Sequence, residues 1–172
     1  MEPRVPLNLL PDPLDQYPTL DLSSLKSLNT DNDTFRKKYG IEMYKLIGGP
    51  KCKELLRCAY CGFPFDNFMN WLMMSVDHVV PKVAASKLKI NRDIWDSILN
   101  LVFCCRICND FNRGLKEEAK ALEILPYQPK EGASPEEFLR LRQATFPRRL
   151  EDIANKRVEA QQIYLTLWSP EI

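Results

Sequence analysis

His78 is the only histidine in a chain of 172 residues. It follows Asp77 inside an apolar run, Met73-Met74-Ser75-Val76-Asp77-His78-Val79-Val80-Pro81. Imidazole is the side chain whose charge ordinarily changes near neutrality, so His78 is the natural candidate for proton transfer. A lone histidine on an apolar strand is most often a core residue. The carboxylate beside it changes the reading, because a charge among apolar residues is costly to bury without a partner such as a cation.

The other residues with chemistry are two cysteine pairs, Cys58-x-x-Cys61-Gly62 and Cys105-x-x-Cys108-Asn109. A two-residue gap lets both thiolates face one tetrahedral ion from a single turn. Gly62 fits the left-handed position that such turns need. A redox dithiol and disulfides are the rival readings, and two pairs in one chain without a secretory signal favour metal over both. Zinc held by Cys58, Cys61, Cys105 and Cys108 has no open position and therefore stabilises the fold without taking part in catalysis. Cys104 is expected in the core, since adjacent strand residues face opposite ways. Cys52 has no partner in spacing.

Acid, histidine, asparagine and two cysteine pairs in this order resemble the HNH nuclease family in its zinc-bound ββα-metal form, over about residues 58–116. The resemblance implies an endonuclease that hydrolyses phosphodiester bonds, commonly leaving a 5′ phosphate. It makes His78 the general base, Asp77 a ligand of a catalytic cation, and Asn100 the central asparagine that holds a loop and orients the histidine. Asn109 falls at the third motif position, where members carry histidine or asparagine, and becomes a second cation ligand. Two oxygen ligands and no second histidine suit Mg²⁺ or Mn²⁺. The plainer role for Asn109 is to cap the helix that follows the cysteine turn. A bend at Asp77-His78 is expected to bring both side chains to one site. Arg106, Arg113 and Lys116 are candidates for flanking phosphates, although a solvated helix face explains them nearly as well. Two features depart from the family pattern. Asn112, followed by Arg113, stands where a lysine is expected. The insertion from Lys82 to Ile98 lacks glycine and reads as partly helical.

The elements that must position these residues give an α+β fold. Residues 72–80 and 101–104 read as antiparallel strands. Asp93–Leu99 reads as one or two helical turns with Trp95 and Ile98 inward, and a helix is expected from about Asn109 to Leu122. Ser134-Pro135-Glu136-Glu137 is a helix start, with serine at the cap and proline at the first position. Pro147 is expected to begin a last helix reaching Trp168, with Leu150, Ile153, Ala154, Val158, Tyr164, Leu165 and Trp168 on its buried side. Upstream, Pro3, Pro6, Pro11, Pro13 and Pro18 argue for an extended arm. A helix over Phe35, Tyr39, Met43 and Leu46 is then stopped by Gly48-Gly49-Pro50. The expected division is an arm over 1–30, a nuclease core with its zinc site over 31–125, and a C-terminal helical extension over 126–172.

Composition is ordinary for a globular protein, with 45% hydrophobic and 27% charged residues. No apolar run approaches the roughly 20 residues that a membrane span needs, so a soluble, cytoplasmic protein without membrane contact is expected. Net charge is +1 and by itself points to no polyanion. A basic block at Arg36, Lys37, Lys38, Lys45, Lys51, Lys53 and Arg57 offers local attraction for phosphate, and a solvated helix face explains it equally well. The expected partner is nucleic acid, and DNA before RNA. A zinc-stapled nucleic-acid-binding module without catalysis is the alternative, and a thiol redox protein is a third class.

Overall fold

The computed structural model describes residues 57–168; the expected arm and the helix over Phe35–Leu46 lie outside them. Two strands, β1 (Met74–His78) and β2 (Leu101–Cys105), pair antiparallel from Met74 opposite Cys105 to His78 opposite Leu101. The register puts Ser75 and Asp77 on the face shared with Cys104 and Val102. His78 lies on the other face with Val76. A two-stranded ribbon is marginal alone, and here every residue of β2 is buried beneath flanking helices.

A short helix, α1 (Phe68–Leu72), precedes β1; Asn67 caps it by accepting a hydrogen bond from the Asn70 backbone N–H. The connection between the strands carries α2 (Lys82–Lys87), α3 (Arg92–Trp95) and a 3₁₀ turn, Ile98–Asn100. Its lack of glycine has a visible result. Lys89 takes the left-handed turn after α2, at φ 52°, a conformation that disfavours residues with a Cβ. Asn91 caps α3 through the Asp93 backbone N–H at 2.9 Å. Ile94 is buried and Trp95 half-buried.

After β2 the structure departs from one expectation. The single helix to about Leu122 is three pieces: α4 (Arg106–Phe111), a 3₁₀ turn (Asn112–Lys116) and α5 (Glu118–Glu123). Glu117 is extended, at φ −81° and ψ 129°, and redirects the chain so that Leu115 and Ala121 are both buried. Gly114 adds backbone freedom that weakens a continuous helix there.

A second departure is larger. Helix α6 runs unbroken from Pro135 to Trp168, with Pro147 inside it. The start is as expected: Ser134 Oγ accepts from the Glu137 N–H at 3.3 Å. An interior proline costs about 3 kcal/mol, and burial on both sides of it outweighs that. Phe138 and Leu141 pack into one apolar cluster with Val80, Ala84 and Leu125. Phe146 and Ile153 pack into a second with Tyr60, Val102 and Phe103. Past Ile153 the expected buried side is not buried: Val158, Tyr164 and Leu165 are exposed, because the apolar periodicity runs on beyond both clusters. Among the described residues no helix is long and apolar enough to cross a membrane.

Docking of the first half of α6 is testable. Phe138 is fully buried, and Phe138→Ala is expected to destabilise the protein by about 3–5 kcal/mol, read from urea unfolding. A loss under about 1 kcal/mol would mean that this half of α6 is not part of the core.

Candidate functional site

The first cysteine pair sits in a tight turn. Cys58 N–H donates to Phe63 O and Gly62 N–H to Cys58 O, both at 2.8 Å, and Gly62 has the left-handed φ of 70°. Ala59 N–H donates to Phe103 O at 2.8 Å, which fixes the turn to β2. Cys105 ends β2 and Cys108 lies in the first turn of α4, where its N–H points at Cys105 Sγ at 3.5 Å. The four sulfurs all lie within 4.8 Å of one another, with Cys61 and Cys105 3.7 Å apart. A tetrahedral zinc with 2.3 Å bonds to sulfur spaces its ligands by roughly 3.8 Å, so the cluster fits zinc. Cys104 is buried and stands outside it.

The four thiols are close enough to shift one another's protonation. Hydrogen bonding to Cys105 pushes the Cys58 thiol up and pulls Cys61 down, so sulfurs at this spacing share protons rather than ionise together. A divalent ion lets all four ionise. Arg157 of α6 adds a positive charge from outside, its Nη1 3.9 Å from Cys108 Sγ. Burial alone would lower the Arg157 guanidinium, and the sulfur charges outweigh that and raise it.

His78 closes β1. Its Nε2 is 3.1 Å from Asp96 Oδ1, and Arg92 Nε is 3.3 Å from the other carboxylate oxygen. Asp96 is fully buried, and the Trp95 ring lies 6.1 Å from the imidazole centroid. Burial pushes His78 below its ordinary 6.5, against the opposing pull of the Asp96 hydrogen bond. Burial thus favours the neutral ring, the form that accepts a proton.

Asn100, also buried, ties this region together. Its Nδ2 donates to Val80 O and Trp95 O, each at 2.9 Å, and its Oδ1 accepts from Val80 N–H at 2.8 Å. One amide thus joins the end of β1 to the turn that carries Asp96.

Asp77 faces away from His78. Its Oδ2 accepts from Tyr60 Oη at 2.6 Å and from Arg149 of α6. Burial would lower the Arg149 guanidinium, and Tyr60 and Asp77 more than reverse this. Burial also raises Tyr60. The bend expected at Asp77-His78 is absent: the ladder continues through His78 opposite Leu101, and Val79 N–H donates to Asn100 O at 2.9 Å. Regular pairing enforces alternation, so the two neighbours have different surroundings.

Asn109 lies inside α4 rather than at its start, so it does not cap that helix. Its Nδ2 donates to Ser75 Oγ at 2.9 Å, on the strand face that also carries Asp77. Arg106 and Lys116 are exposed; the side chain of Arg113 lies outside the described residues.

Four participants escaped the sequence reading: Tyr60, Asp96, Arg149 and Arg157. Arg149 carried a signal, since with Arg142, Phe146 and Ile153 it falls on one helical stripe, a charge where a core residue belongs. Asp96 carried none beyond its place near Trp95.

No curated protein and no solved structure matches the chain. Residues 58–112 match the model of the HNH endonuclease family. That segment holds both cysteine pairs, both strands, His78, Asn100 and Asn109, and it is an HNH domain with a cysteine cluster that fits zinc.

Proposed function

We propose that the protein is a metal-dependent endonuclease acting on nucleic acid, DNA in the first place, with His78 as general base. The observation that carries this is a histidine fixed at the end of β1 by Asp96 within a segment that matches the HNH endonuclease family. His78 takes a proton from water as the water oxygen attacks phosphorus; the bond to the 3′ oxygen breaks and a 5′ phosphate remains. The structural zinc belongs to Cys58, Cys61, Cys105 and Cys108.

A catalytic cation would be held by Asp77 and Asn109, on the strand face opposite His78, so joint action with His78 on one phosphate would need the pairing to bend at Asp77-His78. Asn109 commits its Nδ2 to Ser75, which leaves the amide oxygen as its ligand atom. A carboxylate and an amide oxygen over one strand face are a hard donor set suited to Mg²⁺ or Mn²⁺ with retained waters. Such an ion, when bound, would supply charge stabilisation for the scissile phosphate and the leaving oxygen. Asp77 keeps its carboxylate oriented through Tyr60 and Arg149.

A titration tests this assignment. Asn109→Ala is expected to raise the half-saturating Mg²⁺ concentration for cleavage several-fold, with partial recovery in excess Mn²⁺. Superimposable titrations for parent and variant would remove Asn109 from the site.

One observation favours a second reading, a zinc-stapled nucleic-acid-binding module. Asp77 is paired with Arg149 and turned from His78, an arrangement that serves structure as well as catalysis. Nicking of supercoiled plasmid by purified protein with Mg²⁺, lost in His78→Ala, decides for the enzyme. Binding without nicking decides for the module.

A further inference from the structure

A neutral imidazole has one N–H and one lone pair, and which nitrogen holds which depends on what the ring touches. Asp96 lies at the end of α3, in the connection between the strands, where sequence spacing gives it no role. It is fully buried, and its two oxygens are engaged by different partners, Oδ1 by His78 Nε2 and Oδ2 by Arg92 Nε. An ionised carboxylate only accepts hydrogen bonds. The 3.1 Å contact therefore places the imidazole proton on Nε2. The surroundings make the contact rigid. Asn100 clamps Trp95 O and both backbone groups of Val80, so the segments on either side of the pair are fixed to each other. Arg92 neutralises the carboxylate from its far side.

We propose that Asp96 is the positioning residue of His78, accepting its Nε2–H so that the lone pair lies on Nδ1 and that nitrogen is the one that takes the proton from water. In this role Asp96 acts through the ring and not on the attacking water or the phosphate. The role rests on the reading of His78 as the base. A carboxylate that holds the far edge of an imidazole fixes both its tautomer and its orientation, and it stabilises the imidazolium formed after proton transfer.

Because the chain has one histidine, its imidazole nitrogens are read without assignment ambiguity in a long-range proton–nitrogen spectrum of ¹⁵N-labelled, zinc-loaded protein. The parent is expected to show the Nε2–H tautomer. Asp96→Asn, which keeps the side chain's shape, and Asp96→Ala are expected to show mixed tautomers. Their kcat for plasmid nicking should fall by roughly 10- to 100-fold, less than for loss of the base itself. KM and zinc content should be unchanged. The parent spectrum needs no variant to fold, and an Nδ1–H tautomer in it overturns the proposal. So does a parental kcat in Asp96→Asn alongside an inactive His78→Ala, a result that leaves the base assignment standing. An active His78→Ala overturns the nuclease reading and this role with it, while the spectrum still reports the contact between the two side chains.

Discussion

Replacing Cys108 by serine, or stripping the metal with a strong chelator, is expected to abolish the cooperative fold of this protein. The first cysteine pair reaches the strand pair through the Ala59–Phe103 backbone hydrogen bond, the Tyr60–Asp77 hydrogen bond, the apolar packing of Tyr60 and the sulfur cluster. Of these, the cluster holds the most distant segments together. Structural zinc binding is worth about 10–16 kcal/mol in small metal-folded domains. The net stability of a typical domain is only about 5–15 kcal/mol, so the apo state has little left to fold on. Elemental analysis should find one zinc per chain in the parent and none in Cys108→Ser, whose far-UV circular dichroism should lose its cooperative thermal transition. Cys104→Ala is the control. Its sulfur is buried but outside the cluster, so the variant should keep its zinc and lose only what a smaller core side chain costs. A metal-free preparation that unfolds at the parental midpoint would sink this account of the cluster.

The second large effect concerns rate. His78→Ala should slow plasmid cleavage by about 10²–10⁴-fold, the usual contribution of a general base. At about 1.36 kcal/mol per factor of ten, that is about 3–5 kcal/mol of barrier. Zinc content and affinity for nucleic acid should not change, because the imidazole is not among the sulfur ligands and its proposed role is on water. The variant leaves the buried Asp96 carboxylate with Arg92 still beside it, so the fold is expected to survive with some loss of stability. Initial rates at saturating Mg²⁺, with circular dichroism on the same samples, separate lost chemistry from lost structure. Cleavage near the parental rate would remove His78 from the mechanism.

What could be read from the chain beforehand depended on how local the cause was. The cysteine turns are local chemistry, and Cys58, Cys61, Cys105 and Cys108 converge as their spacing requires. The strands, too, fall where the β-branched and apolar runs put them, β1 inside 72–80 and β2 one residue longer than 101–104. Helix α6 was misread because the rule for proline concerns one turn. The burial that overrides it comes from Phe138 on one side of Pro147 and Ile153 on the other, each in a different cluster. The contacts of Asp77 and His78 were hidden for the same reason. Arg149 is 72 residues from Asp77 in sequence, and Asp96 is 18 from His78. Periodicity can mark Arg149 as misplaced on a buried stripe, but it cannot say which carboxylate receives it.

Helix α6 lies wholly beyond the matched segment, yet it sets Arg157 against the cysteine cluster and Arg149 against Asp77, and it contributes Phe146 to the core beneath both. The boundary drawn by sequence similarity is therefore not a boundary of construction. Residues 58–112 cannot be excised or grafted onto another protein as an interchangeable cassette, because a piece ending there leaves Tyr60 and Asp77 facing solvent where a helix should cover them. For this chain, the segment that matches the family model is smaller than the unit whose side chains pack together.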